Sequence, residues 1–223
     1  MSRTYEAVLL DAFGTLIDVD RPGERLQAAI GLRLGLEVDL DAAGAAFVAE
    51  ARYYADHCHL AVDAPTLADL HRRCAAIVLD RLDIDHDPQS AVDLLADAIV
   101  FAAYPDAPPA LAGLRAAGVH VAVVSNADYT LPAMLAQAGI EIEHVFDSAS
   151  CRSSKPDPGI FHRAVETLGV KPAAALHVGD TPEADGDGAR AAGIDVRIID
   201  RTGARPGSIA SLTELLDLVG APA

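Results

Sequence analysis

Short apolar runs alternate with amphipathic stretches over most of this chain, and one long segment interrupts the alternation. Tyr5-Glu6-Ala7-Val8-Leu9-Leu10 is apolar and is broken at Asp11-Ala12-Phe13-Gly14-Thr15, a pattern that predicts a buried strand opening into a loop. From about Asp18 to Tyr104 the apolar residues recur at helical spacing instead. Leu26, Ile30 and Leu34 outline one helix. Leu67, Leu70, Cys74, Ile77, Val78 and Leu82 outline a second, and Val92, Leu95, Ala96, Ile99 and Val100 a third. No strand is predicted in that segment. After Pro105 the alternation resumes. Helices are expected over 108–117, 131–138, 160–168 and 184–192, and strands over 119–124, 144–146, 176–178 and 196–199. Strand–helix alternation of this kind predicts an α/β fold with a parallel sheet covered on both faces. The core is then discontinuous, 1–17 with 105–223, and 18–104 is an inserted all-helical domain.

In a parallel sheet, ligands bind beyond the carboxyl ends of the strands. The polar groups expected at those ends are Asp11, Ser125-Asn126 and Gly179-Asp180, with Lys155 in a loop between them. Composition narrows what such a site meets. The chain has 223 residues, 51% hydrophobic and 22% charged, which is globular rather than disordered. Its net charge of −16 argues against nucleic acid and against an anionic membrane surface as partners, and leaves a small molecule as the expected partner. No stretch of about 18 uninterrupted apolar residues predicts a membrane span. Nothing near Met1 reads as a signal peptide, and Cys58, Cys74 and Cys151 form neither a disulfide framework nor a zinc pattern, so a cytoplasmic protein is expected.

Four segments together resemble the haloacid dehalogenase superfamily. They are Asp11-Ala12-Phe13-Gly14-Thr15-Leu16, Val123-Val124-Ser125-Asn126, Lys155-Pro156-Asp157-Pro158 with Ile160-Phe161, and Val178-Gly179-Asp180-Thr181-Pro182-Glu183-Ala184-Asp185 followed by Gly188-Ala189. The resemblance covers nearly the whole chain and implies a Rossmann-like core with a helical cap inserted after the first motif. It implies Asp11 as a nucleophile forming a covalent aspartyl intermediate that water opens. Ser125 and Lys155 would act on the transferring group, and Thr15 and Asn126 would bind substrate. Magnesium would be held by Asp11, the backbone carbonyl of Phe13 and Asp180, with Asp185 anchoring the metal site through a water or by fixing Lys155. Taken singly, each of these residues is also an ordinary turn, cap or surface residue.

The first motif departs from the superfamily's phosphatases. They usually carry a second Asp two residues after the nucleophile, where this chain has Phe13, and phenylalanine transfers no proton. In this the segment is similar to the metal-independent 2-haloacid dehalogenases, whose halide leaves without a proton. Those enzymes usually lack the Gly-Asp pair of the fourth motif, which is present here as Gly179-Asp180. The expectation is therefore a magnesium-dependent phosphohydrolase of a small phosphorylated metabolite without the usual general acid. The alternatives are a 2-haloacid dehalogenase, and a regulatory or binding protein that keeps the fold without turnover. No lysine lies between Asp18 and Tyr104, which argues against a Schiff-base phosphonate hydrolase. The cap is expected to set the substrate. Tyr53, Tyr54, Asp56, His57 and His59 cluster in it, and Asp56-His57-Cys58-His59 reads as a polar helix end that could also supply an acid. Asp18, Asp20 and Arg21 lie at the entry to the insertion, within possible reach of substrate.

Overall fold

A computed structural model describes residues 5–219. The chain divides into two compact units, one built from 1–18 and 103–223 and the other from 19–102.

The first unit is organised by a five-stranded parallel sheet. Its strands are β1 (Ala7–Leu10), β4 (His120–Ser125), β5 (His144–Asp147), β6 (Ala175–Gly179) and β7 (Asp195–Ile198), in the order β5-β4-β1-β6-β7. The central strand is buried throughout. Its apolar run Ala7–Leu10, bounded by Glu6 and Asp11, is what a strand covered on both faces requires. Ala7 stands level with His120 and Ala175, and Leu10 with Val123 and Val178, so the three central strands end within two residues of one another. The helices of this unit include α5 (Ala107–Ala116), α6 (Leu131–Gln137), α7 (Ser148–Cys151), α8 (Gly159–Leu168), α9 (Gly188–Ala191) and α10 (Leu215–Val219). Ile160, Phe161, Ala164 and Val165 of α8 pack with Ala7, Leu9, Ala122 and Val124, which share one face of the sheet. This is the parallel α/β architecture expected from the alternation, and the Rossmann-like core that the resemblance implied.

The second unit is four helices, α1 (Pro22–Leu34), α2 (Leu40–His57), α3 (Ala64–Arg81) and α4 (Pro88–Ala98). Leu26 and Ile30, Ala43 and Ala46, Leu70, Cys74 and Val78, and Leu94 and Leu95 form its core. Acidic residues start three of these helices. Asp39 accepts from the backbone N–H of Asp41 and Ala42, and Asp87 from those of Gln89 and Ser90, while Asp63 and Thr66 form a reciprocal capping box. A share of the chain's negative charge is therefore helix capping. The helix α2 ends at His57, whose ring stacks on Tyr53 at 4.0 Å, and a 3₁₀ turn Cys58–Leu60 follows. The segment is a helix end, as its sequence suggested, although Cys58 itself is fully buried.

The absence of strands from the helical segment is corrected by the structure. Ile17–Val19 (β2) and Phe101–Ala103 (β3) form a two-stranded ribbon where the chain leaves and rejoins the first unit. Three-residue strands are too short to show an alternation, and their pairing is set by the turn into the insertion rather than by a buried face. Among the described residues no helix is long and apolar enough to cross a membrane.

Two leucines separate core from surface. Leu9 is fully buried in β1, whereas Leu32 in α1 is 85% exposed. Leu9→Ala is expected to lower stability by about 2–5 kcal/mol and Leu32→Ala by under about 0.5 kcal/mol, both measured by urea denaturation.

Candidate active site

The site is assembled where β1, β4 and β6 end. Asp11 directly follows β1 and its N–H donates to the Val178 carbonyl at 2.8 Å, which continues the sheet by one bond and fixes the carboxylate against the end of β6. The Ser125 hydroxyl, from the last position of β4, helps hold the Asp11 carboxylate by hydrogen bonding. Lys155 is 5% exposed, and its Nζ lies 2.7 Å from Asp11 Oδ1 and 2.6 Å from Asp185 Oδ1. Asp185 uses both oxygens: Oδ1 also meets His177 Nε2 at 2.8 Å, and Oδ2 accepts the Thr181 N–H at 3.0 Å. Asp185 lies in a π-type helical turn, Pro182–Asp187, and its carboxylate rests over Gly179. A Cβ at Gly179 would come within 2.1 Å of that carboxyl carbon, so the glycine is a steric requirement. Gly14, at φ +71°, is similarly bound to its place: a Cβ there would meet an Asp180 oxygen at 2.3 Å.

The electrostatics follow from three carboxylates around one ammonium. Asp11 is raised above the ordinary carboxylate range by burial and by the neighbouring Asp185, with Lys155 and Ser125 opposing. Burial works against the charge on Lys155, but Asp11 and Asp185 together hold its ammonium above the usual lysine range. Burial also works against Asp185, yet Lys155 and His177 keep it well below the usual range. Asp180 is pushed up to about 6, first by desolvation of its carboxyl and then by the negative charge of Asp11. Oxygens of Asp11, Asp180 and Asp185 all lie within 4.8 Å of one another.

Two residues expected at the substrate have side chains engaged or enclosed by the protein itself. The Asn126 side chain clamps the backbone of Lys155: Nδ2 donates to the Lys155 carbonyl at 2.9 Å and Oδ1 accepts the Lys155 N–H at 2.8 Å. Its amide is thus engaged at both ends by the lysine backbone. Thr15 is fully buried, and its hydroxyl has no hydrogen-bond partner among the described residues. Phe13 forms a bridge with Ile17 beyond the end of β1 and brings no titratable group to the site. At the entry to the insertion, Asp20 pairs with Arg25 at 2.7 Å, and Asp18 accepts the Tyr104 hydroxyl at 2.7 Å.

Sequence reading missed Arg201 and His177. Arg201 donates to both oxygens of Asp106 at 2.9 Å and stacks its guanidinium 3.7 Å from the centre of the Tyr104 ring. It also donates to the Thr15 carbonyl, which ties the first motif's loop to the start of α5. Beside it a cavity of about 620 Å³ opens at Asp180, with Gly14, Asp18, Tyr104, Asp200 and Arg205 in its wall. One arginine among many in an arginine-rich chain gives no signal of such a role, and neither does one histidine inside an apolar strand.

Comparison with known proteins follows the same lines. A family model for haloacid dehalogenase-like hydrolases matches residues 5–193. The haloacid dehalogenase-like hydrolase domain-containing protein 3 of Bos taurus is 41% identical over 86 residues, which is 38% of this chain and 34% of that protein. The phosphoserine phosphatase of Thermus thermophilus is 38% identical over 106 residues, 46% of this chain and 42% of that one. The chain thus spans well under two thirds of the length of these curated relatives. A solved defluorinating L-2-haloacid dehalogenase superposes with a TM-score of 0.77 at 27% identity, covering 97% of this chain and 96% of that chain.

The pH dependence of stability tests the crowding of acids. Asp180 titrates at 3.8 when unfolded and about 6 in the fold. The folded state therefore binds more protons between these values, and stability from this group is lost as pH rises through that window. In buffer containing a chelator, Asp180→Asn should match the wild type at low pH and become the more stable protein as pH rises from about 4 to about 7. Denaturation midpoints across that range check it, and a gap independent of pH would contradict the electrostatic account.

Proposed function

The chain belongs to the haloacid dehalogenase-like hydrolase family, and from that premise we propose that it is a magnesium-dependent phosphohydrolase acting on a small phosphorylated metabolite. The observation that supports this most directly is the charge arrangement at the strand ends. Three carboxylates gather at the strand ends; Asp11 and Asp185 contact the buried ammonium, and Asp180, which does not, is pushed up to about 6. Carboxylate oxygens are suitable ligands for a hard divalent cation, and magnesium needs few protein ligands beside water and phosphate. Asp185 has both oxygens engaged, so direct ligation falls to Asp11 and Asp180, joined by the Phe13 carbonyl as the family resemblance implies. Bound there, magnesium would supply positive charge and Lewis acidity for the phosphoryl oxygens.

The protein's own residues then have distinct tasks. The Asp11 carboxylate attacks phosphorus, the bond to the leaving oxygen breaks, and an aspartyl phosphate forms on Asp11. Lys155 holds Asp11 in line and offers its charge to the phosphoryl oxygens, while the Ser125 hydroxyl orients the same carboxylate. Water opens the intermediate and returns free phosphate. The leaving group occupies the cavity at Asp180, whose wall includes Arg201 and Arg205. Phe13 gives the leaving oxygen no proton, so substrates whose leaving group is stable as an anion, or protonates itself, are favoured.

A 2-haloacid dehalogenase is the second reading, supported by Phe13 and by the likeness to the defluorinating dehalogenase. Its halide would leave from carbon as Asp11 attacks, with no acid required.

A panel of phosphate esters and 2-haloacids, run with magnesium or with EDTA, separates the two. Phosphate release that needs magnesium and is abolished in Asp11→Asn is the expected result. Phe13→Asp should raise turnover of alkyl phosphates by about 10²-fold or more. Halide release from 2-chloropropionate undiminished by EDTA would overturn the phosphohydrolase reading.

A further inference from the structure

We infer that His177 is a positioning residue for Lys155, acting through Asp185. The inference rests on the catalytic reading of Asp11 and Lys155, which both proposed reactions share.

His177 lies in the middle of β6, fully buried, level with Leu9 of β1. Its ring meets the Phe161 ring edge-on at 4.8 Å between centroids. A position of this kind suits an apolar side chain, because burying an imidazole leaves polar atoms to satisfy. Its Nδ1 is indeed buried with no hydrogen-bond partner among the described residues. The polarity of the ring is used at the other nitrogen, which meets Asp185 Oδ1 at 2.8 Å. A carboxylate there accepts, so Nε2 bears the proton.

The geometry makes this bond more than a way to satisfy the imidazole. His177 and Gly179 are two residues apart on one strand and therefore face the same side of the sheet. Gly179 leaves the space above its Cα open, and the Asp185 carboxylate fills it, beside the imidazole. Three donors then meet that carboxylate: Lys155 Nζ and His177 Nε2 on Oδ1, and the Thr181 N–H on Oδ2. Two of the three belong to β6 and the residues that immediately follow it. Asp185 is thus fixed relative to the sheet independently of the lysine, and it presents Oδ1 to the ammonium at 2.6 Å. Asn126 fixes the Lys155 backbone, but four methylene groups separate that backbone from Nζ. Through Asp185, His177 restrains the far end of the side chain, the end that meets Asp11 at 2.7 Å. Without the imidazole N–H, Oδ1 retains the lysine alone, and the carboxylate is free to turn about its Cβ–Cγ bond toward Thr181. The ammonium then loses its fixed place over the nucleophile.

Three variants test this. His177→Gln carries an amide N–H to the position of Nε2. His177→Asn is also polar but stops short, and His177→Phe fills the space with no donor. Loss of orientation at the reacting atoms costs about 10²-fold in rate. His177→Asn and His177→Phe should therefore lower kcat on the panel's best substrate by about that factor with KM little changed, and His177→Gln should restore most of it. The second measurement needs no activity. Lys155 and Lys171 are the chain's two lysines, so ¹⁵N NMR of the side-chain ammonium groups gives at most two signals, identified with Lys171→Arg. A protected Lys155 signal should be present in the wild type and His177→Gln, and broadened or lost in His177→Asn. Should His177→Phe not fold, the Gln and Asn pair still decides. Unchanged kcat and an unchanged Lys155 signal in His177→Asn would overturn the inference, as would equal loss in the Gln and Asn variants. If the wild type hydrolyses nothing on the panel, the proposed function fails, and the NMR comparison alone decides the role of His177.

Discussion

A single buried ammonium organises the ends of three strands. Lys155 Nζ contacts both Asp11 and Asp185, and without it two carboxylates would face each other in a medium that screens poorly. Removing one partner from such a cluster commonly costs about 3–5 kcal/mol, because the remaining charges are left buried and unpaired. The surrounding structure is consistent with this constraint. Asn126 at the end of β4 grips the lysine backbone from both sides, and Gly179 at the end of β6 leaves room for Asp185. The parallel register, in which β1, β4 and β6 stop within two residues of one another, brings Asp11, Ser125 and Asp180 to the same edge of the sheet.

The chain's large negative charge looks different in this light. Asp39, Asp63 and Asp87 start helices of the four-helix unit, and Asp106 receives Arg201, Ser211 and the Leu212 N–H. Asp200 folds the loop after β7 by accepting from Thr202 and Arg205, which places Arg201 and Arg205 beside the cavity. These acids satisfy local backbone and side-chain donors and say little about what the protein binds. The field relevant to an anionic substrate is that of the few groups at the strand ends, where Lys155 and a divalent cation would act at close range.

Much of this was legible in the sequence. The alternation after Pro105 marks β4, β5, β6 and β7, and the helices α5, α6 and α8, to within one residue; the helix expected over 184–192 is instead a π-type turn followed by the short α9, and α7 and α10, four and five residues long, are too short to show a period. The motif residues Asp11, Ser125, Lys155, Asp180 and Asp185 meet at the strand ends. What was not legible depends on pairing across long separations. The ribbon of Ile17–Val19 and Phe101–Ala103 has too few residues for a pattern. Asn126 and Thr15 were expected at the ligand because their chemistry suits it, and their orientation was not legible: one side chain turns to Lys155 and the other is buried. Arg201 acts on Thr15 and Asp106, both distant in the chain, so no local spacing announces it.

The ribbon has a consequence for how such a chain can change. Its flanking bonds, Tyr104 N–H to the Leu16 carbonyl at 3.0 Å and Asp20 N–H to the Val100 carbonyl at 2.8 Å, bring the two ends of the insertion together. The sheet therefore receives the same pair of chain ends whatever lies between them, and the entropy of closing a longer excursion grows only with the logarithm of its length. The helical unit is an insertion whose two ends are paired with each other. Recombination at Val19 and Ala102 can exchange it for a shorter hairpin or a different bundle while the strand ends, and the chemistry on them, keep their register.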